Sequence, residues 1–241
     1  DFVMRGGGSR NMNLLEWEKI WSINKRMIDP VCPRHTAVLK ETRVPFKLSN
    51  VGEPEVTVVP RHKKYPPAGN KVTTRMADVW LDLEDCMLVK EGEEVTLMDW
   101  GNAFVKRIER DAAGTPVSLH GELNPGGDVK KTKLKLHWLP QLADEELVPL
   151  ELNWFEHLLT KKKLEEEDKI EDFATKDSRH VKVAMGDPNM RLLQKGDVLQ
   201  LERVGYFIVD EALTNPGKPV VLFNIPDGLT KEKKLTADTK K

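Results

Sequence analysis

The chain has 241 residues, of which 39% are hydrophobic and 32% charged, a globular composition with enough apolar side chains for one large domain or two small ones. Its 38 Lys and Arg against 39 Asp and Glu leave a formal net charge of -1, which argues against bulk electrostatic capture of nucleic acid but not against a local basic groove. No apolar run reaches the roughly eighteen residues of a membrane span, the start Asp1–Gly6 lacks the regions of a signal peptide, the missing initial Met points to a piece of a longer protein, and Cys32 and Cys86 are too few for a disulfide framework, so both read as free thiols in a reducing compartment.

In chain order, Gly6-Gly7-Gly8-Ser9 reads as a loop, with no preceding strand and the wrong spacing for a phosphate-binding turn. Leu14, Trp17, Ile20, Trp21, Ile23 and Ile28 then recur at helical steps, Asn13 and Glu16 resemble a capping box, and Pro30 and Pro33 stop the helix. From residue 35 the period changes to two. Strands are predicted at His35–Leu39, Val44–Leu48, Glu55–Val59, Val79–Leu83, Val95–Met98, Ala103–Glu109, Pro116–Gly121 and Thr132–Trp138. Leu147–Leu152, His180–Met185, Val198–Arg203, Tyr206–Asp210 and Val220–Ile225 continue the series, with turn chemistry at Pro66–Asn70, Asp111–Gly114, Asn124–Gly127 and Asn215–Gly217. The charged stretch Thr160–Asp172 reads as a solvated connection, and the Lys-rich tail 229–241 as disordered. So many short strands predict a mainly β fold of two β-barrels behind an N-terminal helical connector.

No catalytic constellation is visible. The histidines (His35, His62, His120, His137, His157, His180) never pair at metal-ligand spacing, and no serine sits in a nucleophile elbow. Asp82, Glu84 and Asp85 lack the glycine of a calcium loop and read as a charged turn. RNA-binding ingredients are better represented. Arg61-His62-Lys63-Lys64-Tyr65 sets cationic groups beside an aromatic ring, and Lys130, Lys131, Lys133 and Lys135 run into His137 and Trp138. In a strand, Lys131, Lys133 and Lys135 would share one face, suited either to phosphate contact or to guarding a sheet edge.

Leu15–Val38 closely resembles the junction into the anticodon-binding region of eukaryotic cytosolic glutamyl-tRNA synthetases, most similar to plant or algal members. The resemblance continues through Val95-Thr96-Leu97-Met98-Asp99-Trp100-Gly101-Asn102, Thr132–Leu139, Met185-Gly186-Asp187-Pro188, Leu199–Phe207 and Phe223–Gly228, about residues 10 to 228 in order. It implies a class I synthetase whose ATP- and Mg-using catalytic domain lies upstream, so that this chain carries no cofactor and no catalytic residue and is inactive alone. It implies a cytoplasmic protein whose partner is tRNA(Glu), with the helix as relay between anticodon and active site, and accessory contacts through the missing N-terminal part. The division it suggests is a connector at 1–30, a proximal barrel from 31–78 with 185–228, a distal barrel at 79–184 and a tail from 229.

By the same resemblance, Arg34 of Cys32-Pro33-Arg34 and Gln200 of Leu199-Gln200-Leu201-Glu202-Arg203 align with residues that read the middle anticodon uridine. A guanidinium donates to a uracil carbonyl, and an amide both donates and accepts at its polar edge. Arg61, Lys63, Lys64, Trp100 and Asn102 fall in segments that approach the anticodon in the family, and Lys130, Lys131, Lys133 and Lys135 are expected on phosphates. Leu88, Thr96 and Met98 stand where glutaminyl enzymes carry arginines, which favours glutamate identity. A glutaminyl-tRNA synthetase domain and a non-catalytic RNA- or protein-interaction module are the competing readings.

Overall fold

The computed structural model describes Met4 and residues 16–215 and 217–228. The loop at Gly6–Ser9, Asn13 and Leu14 of the expected helix start, Pro216 and the Lys-rich tail lie outside the described residues. Helix α1 (Trp17–Ile28) leads into β1 (Arg34–His35), β2 (Ala37–Leu39) and β3 (Arg43–Leu48), then a hairpin of β4 (Glu55–Pro60) and β5 (Asn70–Arg75). Next come β6 (Asp78–Asp82), α2 (Leu83–Cys86), β7 (Glu94–Leu97), β8 (Gly101–Arg110), β9 (Pro116–Asn124), β10 (Lys135–Leu136) and β11 (Leu139–Pro140). The chain continues with β12 (Val148–Phe155), α3 (Ile170–Phe173), β13 (Arg179–Gly186), β14 (Val198–Leu201), β15 (Gly205–Glu211) and β16 (Val220–Ile225).

Two seven-stranded sheets result, one ordered β1-β14-β15-β16-β12-β13-β2 and the other β10-β7-β8-β9-β3-β6-β11. Each sheet has as its outermost strands two segments that are nearly contiguous in sequence. β1 and β2 are separated by Thr36 alone, and β10 and β11 by His137 and Trp138. A sheet whose two edges belong to one short stretch of chain must curl until those edges meet, so both sheets are barrel-like and expose little free edge. This corrects the single strand expected over Thr132–Trp138: only Lys135–Leu136 pairs with β7, and after the kink Leu139–Pro140 pairs with β6.

Inward-facing residues of alternating strands fill each barrel. Leu150, Leu152, Leu199, Leu201, Phe207 and Leu222 form the first core, and Phe46, Leu81, Leu97, Leu119 and Leu136 the second. Each such side chain contributes about 1.5–3 kcal/mol by leaving water. Close packing dictates Gly121 in β9, where a Cβ would lie 2.2 Å from the Phe104 carbonyl oxygen and 2.8 Å from the Phe46 ring. A third small cluster, Val38, Leu139, Leu147 and Met185, joins the barrels.

The strands fall differently from the expected division. β3 pairs with β6 and β9 in the second sheet because Val44, Phe46 and Leu48 face that core, while β12 and β13 pair with β16 and β2 in the first. Residues 43–48 therefore belong with 78–140, and 148–155 with 179–186 belong with the first sheet. β5 was not expected as a strand; its partner β4 was, and Thr73, Lys71 and Arg75 hide its alternation behind polar side chains.

Helix α1 lies against the first barrel through polar pairs and one aromatic contact, with its apolar stripe no more than half-buried. None of its residues is buried, and Trp17 remains 59% exposed and Met27 68%. Lys25 pairs with Asp227 at 3.4 Å, Trp21 packs on His157 with ring centroids 5.2 Å apart, and His157 pairs with Glu18 at 3.3 Å. Gly228 passes close beneath the helix at φ 73°, where a Cβ would come within 2.9 Å of the Glu18 carbonyl.

Candidate nucleic-acid interface

The parallel pairing of β1 with β14 makes Arg34 and Gln200 register partners, and the antiparallel pairing of β14 with β15 adds Tyr206 opposite Gln200. Register partners project to the same face, so Arg34, Gln200 and Tyr206 form a row on the outside of the first barrel. The row extends at the other edge, where the Arg34 N–H donates to the Arg61 carbonyl at 2.9 Å. The backbones of residues 34, 61 and 200, far apart in sequence, thus run side by side.

The end of α1 supports this row. The Tyr206 hydroxyl donates to Oδ1 of Asp29, the Arg34 guanidinium lies 3.9 Å from the same oxygen, and His62 Nε2 donates to the Asp29 carbonyl at 3.1 Å. Burial and the hydrogen bond to Asp29 together raise the Tyr206 pKa, so the phenol stays protonated as a donor. Arg34 remains partly open, with Asp29 at the outer limit of ion pairing and its Nε without a hydrogen-bond partner among the described residues. Nε of Arg61 and of Arg75 is likewise buried without one. These buried Nε atoms are closed to an incoming ligand, whereas the Arg34 side chain as a whole is 32% exposed and can offer its guanidinium to an RNA acceptor.

A buried network fixes the row from behind. The Asp187 carboxylate accepts from His35 Nδ1 at 3.1 Å, the Thr36 N–H at 2.9 Å, and the Asn189 N–H and side-chain amide at 3.0 and 2.8 Å. Burial by itself would raise its pKa, but His35, Lys71 and the Thr36 N–H outweigh that and hold Asp187 well below the usual carboxylate range. The Asn189 amide also bonds both backbone groups of Val72, at 2.9 and 2.8 Å, and so pins β5. Thr36 donates to Glu202 at 3.0 Å, and buried Lys71 reaches Glu202 at 3.4 Å. The stretches Met185–Pro188 and Leu199–Phe207 therefore position Arg34 and Gln200 as well as filling the core.

From Arg61 the surface runs to the second barrel. Lys63 pairs with Asp99 at 2.7 Å while remaining exposed, and Lys64 is exposed beside it. Asp99 adopts φ 59° in the turn between β7 and β8, and its carbonyl accepts from Arg75 Nη2 at 2.7 Å. Asp99 thereby holds Lys63 and Arg75 together. A cavity of about 250 Å³ lies between the β4–β5 hairpin and the two barrels, with Thr36, Lys71 and Glu202 on one side and Met98, Asp99 and Trp138 on the other.

Three of the expected site residues sit elsewhere than a reading surface. Asn102 is 1% exposed, donating to Glu94 at 3.0 Å and accepting from the Thr96 hydroxyl at 2.8 Å, so its amide is spent inside the second barrel. Trp100 is half-buried against Trp138, with ring centroids 4.8 Å apart. Lys135 folds back to donate to the Val129 carbonyl at 2.7 Å and the Thr132 carbonyl at 3.1 Å, closing its own turn. Lys130, Lys131 and Lys133 are exposed on that turn. Sequence reasoning did not pick out Asp29, Arg75 or Tyr206. Arg75 lay in an unexpected strand; Asp29 carried a signal as the acidic residue that ends α1 ahead of Pro30.

Residues 32–124 match the family described as tRNA synthetases class I (E and Q), anti-codon binding domain, and residues 135–210 match a second family of the same description. The chain belongs to these anticodon-binding domains. A cytoplasmic glutamate–tRNA ligase of Arabidopsis thaliana is 53% identical over 228 residues, covering 94% of this chain and 31% of the relative. One of Saccharomyces cerevisiae is 42% identical over 229 residues, covering 95% and 31%, and a bifunctional glutamate/proline–tRNA ligase of Mus musculus is 38% identical over 238 residues, covering 96% and 16%. The chain thus spans under a third of these relatives. Among the described residues no helix is long and apolar enough to cross a membrane, and no group of three or more His, Cys, Asp and Glu could hold a metal ion.

Proposed function

We propose that this anticodon-binding chain grips the anticodon loop of tRNA(Glu) along the row Arg61–Arg34–Gln200, as the recognition part of a cytoplasmic glutamate–tRNA ligase. The observation that carries the reading is the register pairing of Arg34 with Gln200, two residues 166 positions apart that present a guanidinium and an amide side by side. A uracil edge offers two carbonyl acceptors and one N–H donor, which that pair complements. Lys63 and Lys64 lie where the loop backbone would pass between the barrels, and Lys130, Lys131 and Lys133 offer further phosphate contacts. Asn102, Trp100 and Lys135, occupied within the second barrel, act through the shape of that barrel.

Glutamate activation with ATP and Mg belongs to the remainder of the full-length ligase. Asp29, joining the end of α1 to Tyr206 and Arg34, is the physical link by which loop binding reaches the rest of the enzyme. The test is binding of this chain to stem-loops bearing the glutamate anticodon, the glutamine anticodon, and a substituted middle base at fixed salt. Preference for the glutamate loop, with middle-base discrimination of about 1–3 kcal/mol lost in Arg34→Ala, supports the proposal. Equal binding to all loops, unaffected by Arg34→Ala, sinks it and favours an interaction module.

A further inference from the structure

The two barrels meet at a buried ionic cluster that the anticodon row does not use. Asp82, at the end of β6, offers Oδ1 to the Leu39 N–H of the first barrel at 3.0 Å and Oδ2 to His137 Nε2 at 2.9 Å. His137 is 3% exposed, and its Nδ1 lies 3.7 Å from Oδ2 of Asp85. That same Asp85 oxygen accepts from Arg203 Nη1, which comes from the β14–β15 turn of the first barrel. One imidazole thus bonds Asp82 and lies beside Asp85, and the two carboxylates take hold of the first barrel at different points, one at β2 and one at the β14–β15 turn.

Both grips lie close to the reading row. Leu39 ends the closing segment that begins at Arg34, and Arg203 follows Gln200 by three residues at φ 65°. The small apolar cluster of Val38, Leu139, Leu147 and Met185 also joins the barrels among the described residues, but by hydrophobic packing, which is non-directional. Directional, charge-assisted bonds supply what that cluster lacks, a fixed angle.

We propose that His137, Asp82, Asp85 and Arg203 form an inter-barrel latch that sets the angle between the barrels and so positions the Arg34–Gln200 row against the second barrel's face. These are positioning residues and touch no RNA. The inference rests on the anticodon reading above for its functional half; its geometric half stands apart from it.

The test places spin labels at Val117→Cys in the second barrel and Leu192→Cys beside the first, both exposed positions. The native thiols of Cys32 and Cys86 are buried and pushed up to about 12, so labelling at neutral pH is confined to the introduced sites. The distance distribution is measured in the labelled chain, in Arg203→Ala, and in the isosteric Asp85→Asn, with stem-loop affinity measured alongside. The latch predicts a broadened or shifted distribution in both variants, an affinity loss of at least about fivefold, and partial recovery of both in Arg203→Lys. A distribution as narrow as that of the parent in folded Arg203→Ala and Asp85→Asn overturns the latch. A broadened distribution with unchanged affinity overturns its role in recognition. Failure of the parent chain to bind any stem-loop would count against the anticodon reading alone, because the distances are measured without RNA.

Discussion

The two barrels are closed by the same device and use it differently. In each, a short segment supplies both edge strands of its sheet: Arg34–Leu39 for the first, Lys135–Pro140 for the second. In both, the first residue of the segment is a cation. Arg34 keeps an Nε with no partner among the described residues and a side chain about a third exposed, whereas Lys135 spends its ammonium on the Val129 and Thr132 carbonyls. The kinks differ in the same sense. Thr36 is held from behind by Asp187 and Glu202, leaving the outer face open, while His137 turns inward to bind the carboxylates that join the barrels. A closing segment can therefore leave a cation open at the surface or lock a shape. Which one it does is decided by whether local carbonyls and carboxylates consume its donors.

The comparison breaks first, and with the largest effect, at Asp187. Asp187→Ala leaves His35, the Thr36 N–H and the Asn189 amide without their shared acceptor in a buried site, and should destabilise the chain by about 3–5 kcal/mol in urea denaturation. A loss under about 1 kcal/mol would show that the first closing segment stands without this support.

Asn102 and Arg34 sharpen the contrast in opposite directions. Asn102→Ala removes a buried amide from a network with Glu94 and Thr96 and should cost about 1–3 kcal/mol of stability while leaving middle-base preference intact. Arg34→Ala should cost under about 1 kcal/mol of stability, because its ion pair with Asp29 is long and partly solvated, and abolish that preference. Finding the two effects exchanged would reverse the assignment of reading and scaffolding barrels.

The lysine turn gives a smaller, salt-dependent effect. Replacing exposed Lys130, Lys131 and Lys133 together should flatten the dependence of log affinity on log salt by about 0.7 for each lysine that meets a phosphate of the single-stranded loop. Lys135→Ala should change that slope little and should instead loosen the turn, which hydrogen exchange at Val129–Thr132 would report.

Much of this contrast was legible in the sequence, and its limits have physical causes. Alternation revealed most strands because one face of each is packed into a core, as in Val44, Phe46 and Leu48. It failed at Thr132–Trp138, where alternation persists through a kink at which the chain leaves one edge of the sheet and joins the other. It failed again at β5, where Lys71 occupies an inward position by pairing with Glu202 from the β14–β15 turn far along the chain. Arg34 and Gln200 were reached through resemblance, since nothing local distinguishes them from other polar strand residues; their adjacency exists only after β1 pairs with β14. Asn102 illustrates the converse limit. Its side chain looks available in a turn-rich segment, and only the fold shows Glu94 and Thr96 holding it.

The smallest effect is a pH dependence belonging to the second closing segment. Burial disfavours the charged imidazole of His137, but its hydrogen bond to Asp82 and the charges of Asp82 and Asp85 outweigh both that and the opposing Arg203, so its pKa is raised above the ordinary histidine value. A histidine whose folded pKa lies above its unfolded value of about 6.5 binds its proton more tightly in the folded state. Its contribution to stability is then complete below about pH 6.5 and disappears as pH rises through the folded pKa. Asp187 behaves oppositely: its lowered pKa gives a contribution present above the ordinary carboxylate range and lost only as pH falls toward its folded value, so it does not vary in the His137 window. Denaturation midpoints measured from pH 6 upward should therefore decline in the parent chain and decline less in His137→Gln, which keeps a donor toward Asp82 but cannot titrate. Parallel curves for the two proteins would mean that His137 holds the carboxylates as a neutral donor, and that the second closing segment locks the barrels by geometry without a charge of its own.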